Sequence, residues 1–371
     1  MRILLLAMMM SMGTLAHGQN TNYFLYVGVY GKGIPVYRFD ANNGHLKPEG
    51  LAGAITNPSW VTVGPHDRYL FAVSELEGKA EGAVASFAID RHTGKLHELN
   101  SMPSGGVAPC HIAVDHTGKM LFVANYTTGG VGVFPIEADG RLGSMASLLM
   151  EHGHSINPKR QEGPHAHETL ITADNRMAYV ADLGLDHIRI YRIDPEHTSA
   201  TPNDPPFVKE EAGYGPRHMA FGPGEKYLYL TTELKSFVTV FKRDPHNGNL
   251  TAIQKLSTLP KDFTGFNAPA ELVIDHAGKR VYITNRGANT IAVYDIDQDT
   301  GKLHEVQNIS SEGDFPRGFA LDPSGHYAFA GNQKSNNFVV YRVDQNTGRL
   351  TFTGENIHVS SPVGFAFVPT E

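Results

Sequence analysis

Pro109-Cys110-His111-Ile112-Ala113-Val114-Asp115, followed by Leu121-Phe122-Val123-Ala124-Asn125, is a proline, an apolar strand, a turn and a second apolar strand. Pro316-Arg317-Gly318-Phe319-Ala320-Leu321-Asp322 with Tyr327-Ala328-Phe329-Ala330 repeats it. Prolines 58, 109, 164, 216, 269, 316 and 362 open successive copies, at gaps of 51, 55, 52, 53, 47 and 46 residues. One such unit cannot bury both of its apolar faces, so units must stack. A period of about 40–50 residues with four strands each is the mark of a β-propeller.

The last copy has only its first strand, Val363 to Val368. Its missing parts stand at the other end of the chain. Tyr23 to Val27 reads as a second strand, Ile34 to Phe39 as a third, and Asn43-Gly44-His45-Leu46 as the turn that follows. The expected fold is therefore all-β, a seven-bladed propeller closed by pairing N-terminal strands with the C-terminal strand. Closure of this kind removes an open sheet edge. Thr93-Gly94, Thr300-Gly301 and Thr347-Gly348 each precede Lys-Leu or Arg-Leu. Asn247-Gly248 and Asp139-Gly140 occupy equivalent points, where glycine supplies the positive φ of a tight hairpin.

The 371 residues could make two domains by length, but the unbroken repeat argues for one, spanning 19–371. Residues 1–18 read as a signal peptide: Arg2, the apolar run Ile3 to Met10, then Ala16-His17-Gly18. That places the protein in the periplasm or outside the cell; a mis-assigned start would place it in the cytoplasm. Net charge is −7 with no Lys/Arg run, which argues against nucleic acid. No later apolar stretch is long enough to span a membrane. Cys110 is the only cysteine, so no internal disulfide forms. The polar outer strands suit a monomer.

Equivalent positions in different blades form rings around the central channel. The residue after each opening proline, with register set by the turn, is Ser59, Cys110, His167, Arg217, Ala270, Arg317 and Val363. The residue ending the second strand is Tyr30, Glu75, Tyr126, Leu183, Glu233, Arg286 and Gln333, preceded in six blades by Ser74, Asn125, Asp182, Thr232, Asn285 and Asn332. Both rings should open on one face. Arg217, Arg286 and Arg317 then converge with His167, Glu233 and Asp182. Arginine's planar fork suits a carboxylate or phosphate. His167 and Glu233 are the acid–base candidates. The alternative for each arginine is a structural ion pair with a blade carboxylate.

The longest irregular stretch, Glu151 to Gly163, carries Lys159 and Arg160 and ends in Pro164-His165-Ala166-His167. It reads as a substrate lid. Two His-x-His pairs hint at a metal, but no matched carboxylate set accompanies them, so no metal and no cofactor is expected. A Gly-x-Ser-x-Gly elbow is absent and Cys110 lacks a partner, so a covalent nucleophile is not indicated.

The set Asn157 to His167, Gly215-Pro216-Arg217-His218, Thr232-Glu233-Leu234, Asn285-Arg286, Pro316-Arg317-Gly318-Phe319 and Gly331-Asn332-Gln333-Lys334-Ser335 resembles the seven-bladed lactonase family. That family includes the propeller-type 6-phosphogluconolactonase and a fungal carboxymuconate-lactonising enzyme. The resemblance runs from about Tyr23 to Val368. It implies metal-free hydrolysis of a sugar-derived lactone, with His167, Arg217, Glu233 and Arg286 as catalytic residues. Arg317, Gln333, His165, Asp182 and Arg160 would line the substrate site. The expected activity is 6-phosphogluconolactonase-like; the signal-like segment departs from a cytoplasmic role on a phosphorylated lactone, and with export the substrate would be an unphosphorylated aldonolactone or another lactone. A carboxymuconate-type cycloisomerase and a non-catalytic binding or scaffold propeller are the rival readings. A quinone-dependent dehydrogenase is disfavoured, since Trp60 is the only tryptophan and no cysteine pair exists.

Overall fold

The computed structural model describes residues 21–371 apart from 77 and 79. The expected signal peptide lies outside the described residues. Among those described, the strands form seven four-stranded antiparallel sheets. Among the described residues, helix is confined to two short 3-10 turns, Pro65–Asp67 and Pro223–Glu225. None of the helices described is long and apolar enough to cross a membrane. Six sheets are built from consecutive strands. The seventh runs from Pro362–Pro369 to Asn22–Val29, Lys32–Asp40 and His45–Thr56, with Tyr23 opposite Pro369 and Tyr26 opposite Ala366. The expected closure is present.

The core lies between blades. One cluster packs Phe24, Tyr26 and Val368 of the closing blade against Leu70, Ala72 and Phe87 of its neighbour. Another packs Phe39 and Val27 against Phe329 and Phe338 of the neighbour on the other side. Because second and third strands are buried on both faces, they read as nearly continuous apolar runs. Outer strands such as Leu303–Ser310 are buried only at their first residue and otherwise stand partly or fully exposed.

Neighbouring blades are also stapled by a repeated hydrogen bond. Tyr26, Tyr179, Tyr229 and Tyr282 donate their hydroxyls to the carbonyls of Gly94, Gly248, Gly301 and Gly348 at 2.7–3.1 Å. Each glycine closes a hairpin with φ of 69–75°. At Gly94 an added Cβ would also lie 2.6 Å from the Phe24 ring. Only glycine meets both demands there.

The innermost strands share a further feature. Their pairing with the second strand slips just after the opening proline, between Pro109 and His111, Ala166 and Glu168, Pro216 and Met219, Pro269 and Leu272, and Pro316 and Gly318. The closing blade slips in the same place, across Val363. Each slip is a β-bulge, which bends the strand and re-aims a side chain. The extra residues include Cys110, His167, Arg217, Ala270, Arg317 and Val363. Five of these six, all but Ala270, line the cavity at the centre of the propeller.

Candidate active site

Glu233, at the end of the second strand Tyr227–Thr232, is buried and accepts three guanidinium contacts. Arg217 Nε donates to Oε2 at 2.9 Å, Arg286 Nη2 to Oε2 at 2.6 Å and Arg160 Nη2 to Oε1 at 2.5 Å. The two rings therefore open on one face, as their register requires. Burial alone would raise the Glu233 pKa, but Arg286, Arg217 and Arg160 outweigh it and hold the carboxyl well below the usual range. Arg217 is drawn down to about 10, first by burial and then by Arg286. It remains a cation at neutral pH. Its Nη1 is buried and has no partner.

Ser59, Cys110, His167, Arg217, Arg317 and Val363 line one narrow cavity at the head of the central channel. His167 is buried, and its Nδ1 also lacks a partner. Burial, then Arg217 and His218, keep this imidazole neutral far below its ordinary pKa. Arg317 sits 5.2 Å from the centre of the Tyr30 ring. Burial opposes its charge, while Tyr30 and Glu75 more than restore it. Cys110 is buried, and burial pushes its thiol far up, so it stays protonated. Gln333 is not among the residues lining this cavity; it stands at the end of the second strand of the blade after that of Arg286, and its buried Oε1 is unpartnered.

The loop from Glu151 to Gly163 is fastened to its neighbours. Gln161 Nε2 donates to the Leu183 carbonyl at 2.9 Å, and Ser155 Oγ donates to Asp186 at 2.5 Å. From this base Arg160 reaches across to Glu233 and to the Tyr126 hydroxyl at 2.9 Å. His165 stacks on Tyr126, ring centres 4.7 Å apart, and its Nδ1 lies 2.8 Å from the Tyr126 carbonyl. His165 therefore positions this wall through Tyr126. Asp182 stands apart. It accepts from the amides of His165, Gly184 and Leu185 and pairs with the buried Arg189. The corresponding Asn125 and Asn285 likewise hold backbone, at Ser104 and Thr258. This ring fastens the ends of the second strands. His152 and His154 are exposed on the loop, and among the described residues no cluster of three or more His, Cys, Asp or Glu has metal-binding geometry.

Residues 24–367 match the family described as Lactonase, 7-bladed beta-propeller. The chain belongs to the seven-bladed lactonase family. Among its relatives, a 6-phosphogluconolactonase of Bacillus subtilis is 34% identical over 303 residues, covering 81% of this chain and 85% of that one. A protein of the same name from Formosa agariphila is 31% identical, covering 78% and 82%. The solved structure of a periplasmic gluconolactonase from Pseudomonas aeruginosa superimposes with a TM-score of 0.89 at 32% identity, covering 94% of this chain and all of that one.

A second tier of residues beside the ring positions is not assigned to the site by sequence reasoning. Trp60, His218 and Glu271 line the same cavity, and His111 and Glu168 pack beside them. The signal was available: Cys110-His111, His167-Glu168, Arg217-His218 and Ala270-Glu271 place functional groups at consecutive positions of buried strands. Strict alternation assigns only one of each pair to the channel, and the bulge brings in both.

Proposed function

We propose that this protein hydrolyses a sugar-derived lactone, with His167 as general base and Arg217, Arg286 and Arg317 as the electrostatic frame. The observation that carries this reading is the pair of buried, unpartnered groups Arg217 Nη1 and His167 Nδ1 at one cavity. A buried donor left unmade costs about 1–3 kcal/mol, which a substrate oxygen would relieve. In this reading water attacks the lactone carbonyl and His167 takes its proton. Arg217 and a neighbouring arginine meet the oxyanion. The ring C–O bond then breaks, the departing oxygen takes up a proton, and a hydroxy acid leaves.

Glu233 has a different part. Its oxygens are taken up by Arg217, Arg286 and Arg160, and its role is to hold those three at fixed positions. Arg160, borne by the pinned loop, closes the outer wall. The signal-like first segment and the likeness to a protein described as a periplasmic gluconolactonase support export and an unphosphorylated aldonolactone as substrate.

The test is hydrolysis of glucono-δ-lactone and 6-phosphogluconolactone side by side, corrected for spontaneous opening. Turnover of the first alone supports the exported reading. Turnover of the phosphorylated lactone alone overturns that choice of substrate. Turnover of neither, with activity on a carboxymuconate or on nothing, overturns the lactonase reading. His167→Asn should reduce kcat by about 10²–10⁴-fold, the usual worth of a general base, and wild-type turnover in that variant excludes the base assignment.

A further inference from the structure

The channel beneath the arginines is filled by two carboxyl and two imidazole groups. His218 Nδ1 lies 2.7 Å from Glu271 Oε1. His111 Nε2 lies 3.8 Å from Glu168 Oε1, which is 4.0 Å from His218 Nδ1. All four residues are buried. Trp60 covers them, its ring centre 4.4 Å from that of His111 and 5.6 Å from that of His218. A Glu168 carboxyl oxygen also accepts the Met219 amide, and Glu271 accepts the amide of Leu272 at 3.2 Å. The tier touches the mouth directly, since the His218 and His167 rings are 5.1 Å apart.

A buried group titrates according to the charges around it. Burial raises Glu271 to about 7, while Arg217, His111 and Arg317 pull the other way. Burial lowers His218, and Arg217, Arg317 and Arg286 lower it further, opposed by Glu233. Burial and Glu271 keep Glu168 protonated; burial and His218 keep His111 neutral, with a pKa of about 3. His167 on the adjoining strand is neutral for the same reasons. The groups facing the Glu271–His218 pair are thus Glu168, His111 and His167 around it, and the three arginines with Glu233 above. Among the charges around the pair, the arginines are the ones that chiefly keep protons off it. An anion bound to them would weaken that force.

We propose that the Glu271–His218 pair takes up a proton from solvent when an anion settles on Arg217, Arg286 and Arg317. This rests on reading the mouth as an anion site. The proton adds to a Glu271 oxygen or to the free His218 nitrogen; no other bond is made or broken. Below about pH 6 Glu271 already holds its proton and uptake is small. It grows through pH 7 toward 8, so anion affinity falls over that range, as binding linked to proton uptake requires. The pair thereby offsets part of the charge that an anion, such as the hydroxy acid formed by hydrolysis, brings to the channel.

Titration calorimetry of the full chain with sulfate tests this, because sulfate keeps its charge across the range. Heats measured at pH 7.5 in buffers of low and high ionisation enthalpy give the protons taken up per sulfate. The expected value lies between about 0.3 and 1. Glu271→Gln should still bind sulfate, with uptake reduced to less than a third. Buffer-independent heats in the wild type, undiminished uptake in the variant, or no sulfate binding would each overturn the proposal. If the variant does not fold, the imidazole NMR signals of wild-type His218 decide instead. Together with the wild-type proton count they must show a shift at pH 7.5 on adding sulfate, and unmoved signals overturn the proposal. Absence of lactone turnover would bear on the hydrolase reading alone and would leave the proton count standing.

Discussion

Glu233 and Glu271 are both buried carboxyl groups within one channel, and their surroundings drive them in opposite directions. Glu233 has three guanidinium partners, so its charge stabilises the fold above the ordinary carboxylate range and that contribution disappears as pH falls below it. Glu271 is raised to about 7, so its contribution is full below the unfolded value near 4.5 and is lost as pH rises through 7. Wild-type stability should decline between about pH 5 and 8 by up to roughly 3 kcal/mol from this group. Urea unfolding of Glu271→Gln should show that decline flattened. Glu233→Gln should cost about 3 kcal/mol at neutral pH, because Arg217 and Arg286 are left buried without their counter-charge. Undiminished stability in that variant would show that the ion pairs are dispensable. The ring positions of Arg217, Arg286 and Glu233 could be read from the sequence because most equivalent residues in other blades are small or uncharged, which singles out the charged few. Pairing of the arginines with a blade carboxylate stood in the sequence only as an alternative, and that Glu233 receives three of them could not be read. Its behaviour depends on Arg160 arriving from a loop 73 residues away.

At the scale of the element, the turns and strands were legible because each has a local cause: glycine where φ is positive, apolar runs where both faces are covered. The inner-strand bulges were not, since a bulge arises from pairing between strands and leaves no period of its own. The long loop shows both sides of this. Its irregularity was plain and suggested a lid, yet Gln161 and Ser155 anchor it to the third blade. Gly184 governs how close it can come. A Cβ there would stand 1.8 Å from the Gly163 carbonyl oxygen. Gly184→Ala should therefore displace Arg160 and His165, lowering kcat/KM by about tenfold or more while touching none of the proposed catalytic groups. Unchanged kinetics would show that the loop's position does not matter. The tyrosine staples are simpler. Tyr282→Phe should cost about 1 kcal/mol, the net worth of one hydrogen bond, measurable as a shift in the urea midpoint.

At the scale of the whole molecule, the repeat decided the blade number and the incomplete last copy decided the closure. The strand Pro362–Pro369 covers one edge of Asn22–Val29, and Val363 and Gly364 also abut the neighbouring inner strands at Gly318 and Ser59. A chain ending at Ser361 should expose that edge and the apolar faces of Phe24 and Tyr26 together. It should accumulate as aggregate in size-exclusion chromatography; a soluble monomer with wild-type far-ultraviolet circular dichroism would show the ring closes without it.

The same seam has a mechanical character. Tyr23 and Pro369 face each other across it at one end, and the Thr370 amide bonds to the Asn22 carbonyl beside them. A pull that separates those two residues meets the hydrogen bonds of the seam one after another, as a zip does, instead of loading them all at once. Attachment points there would make the disc open at low force, whereas handles placed across it, on opposite blades, would have to drag whole sheets past one another.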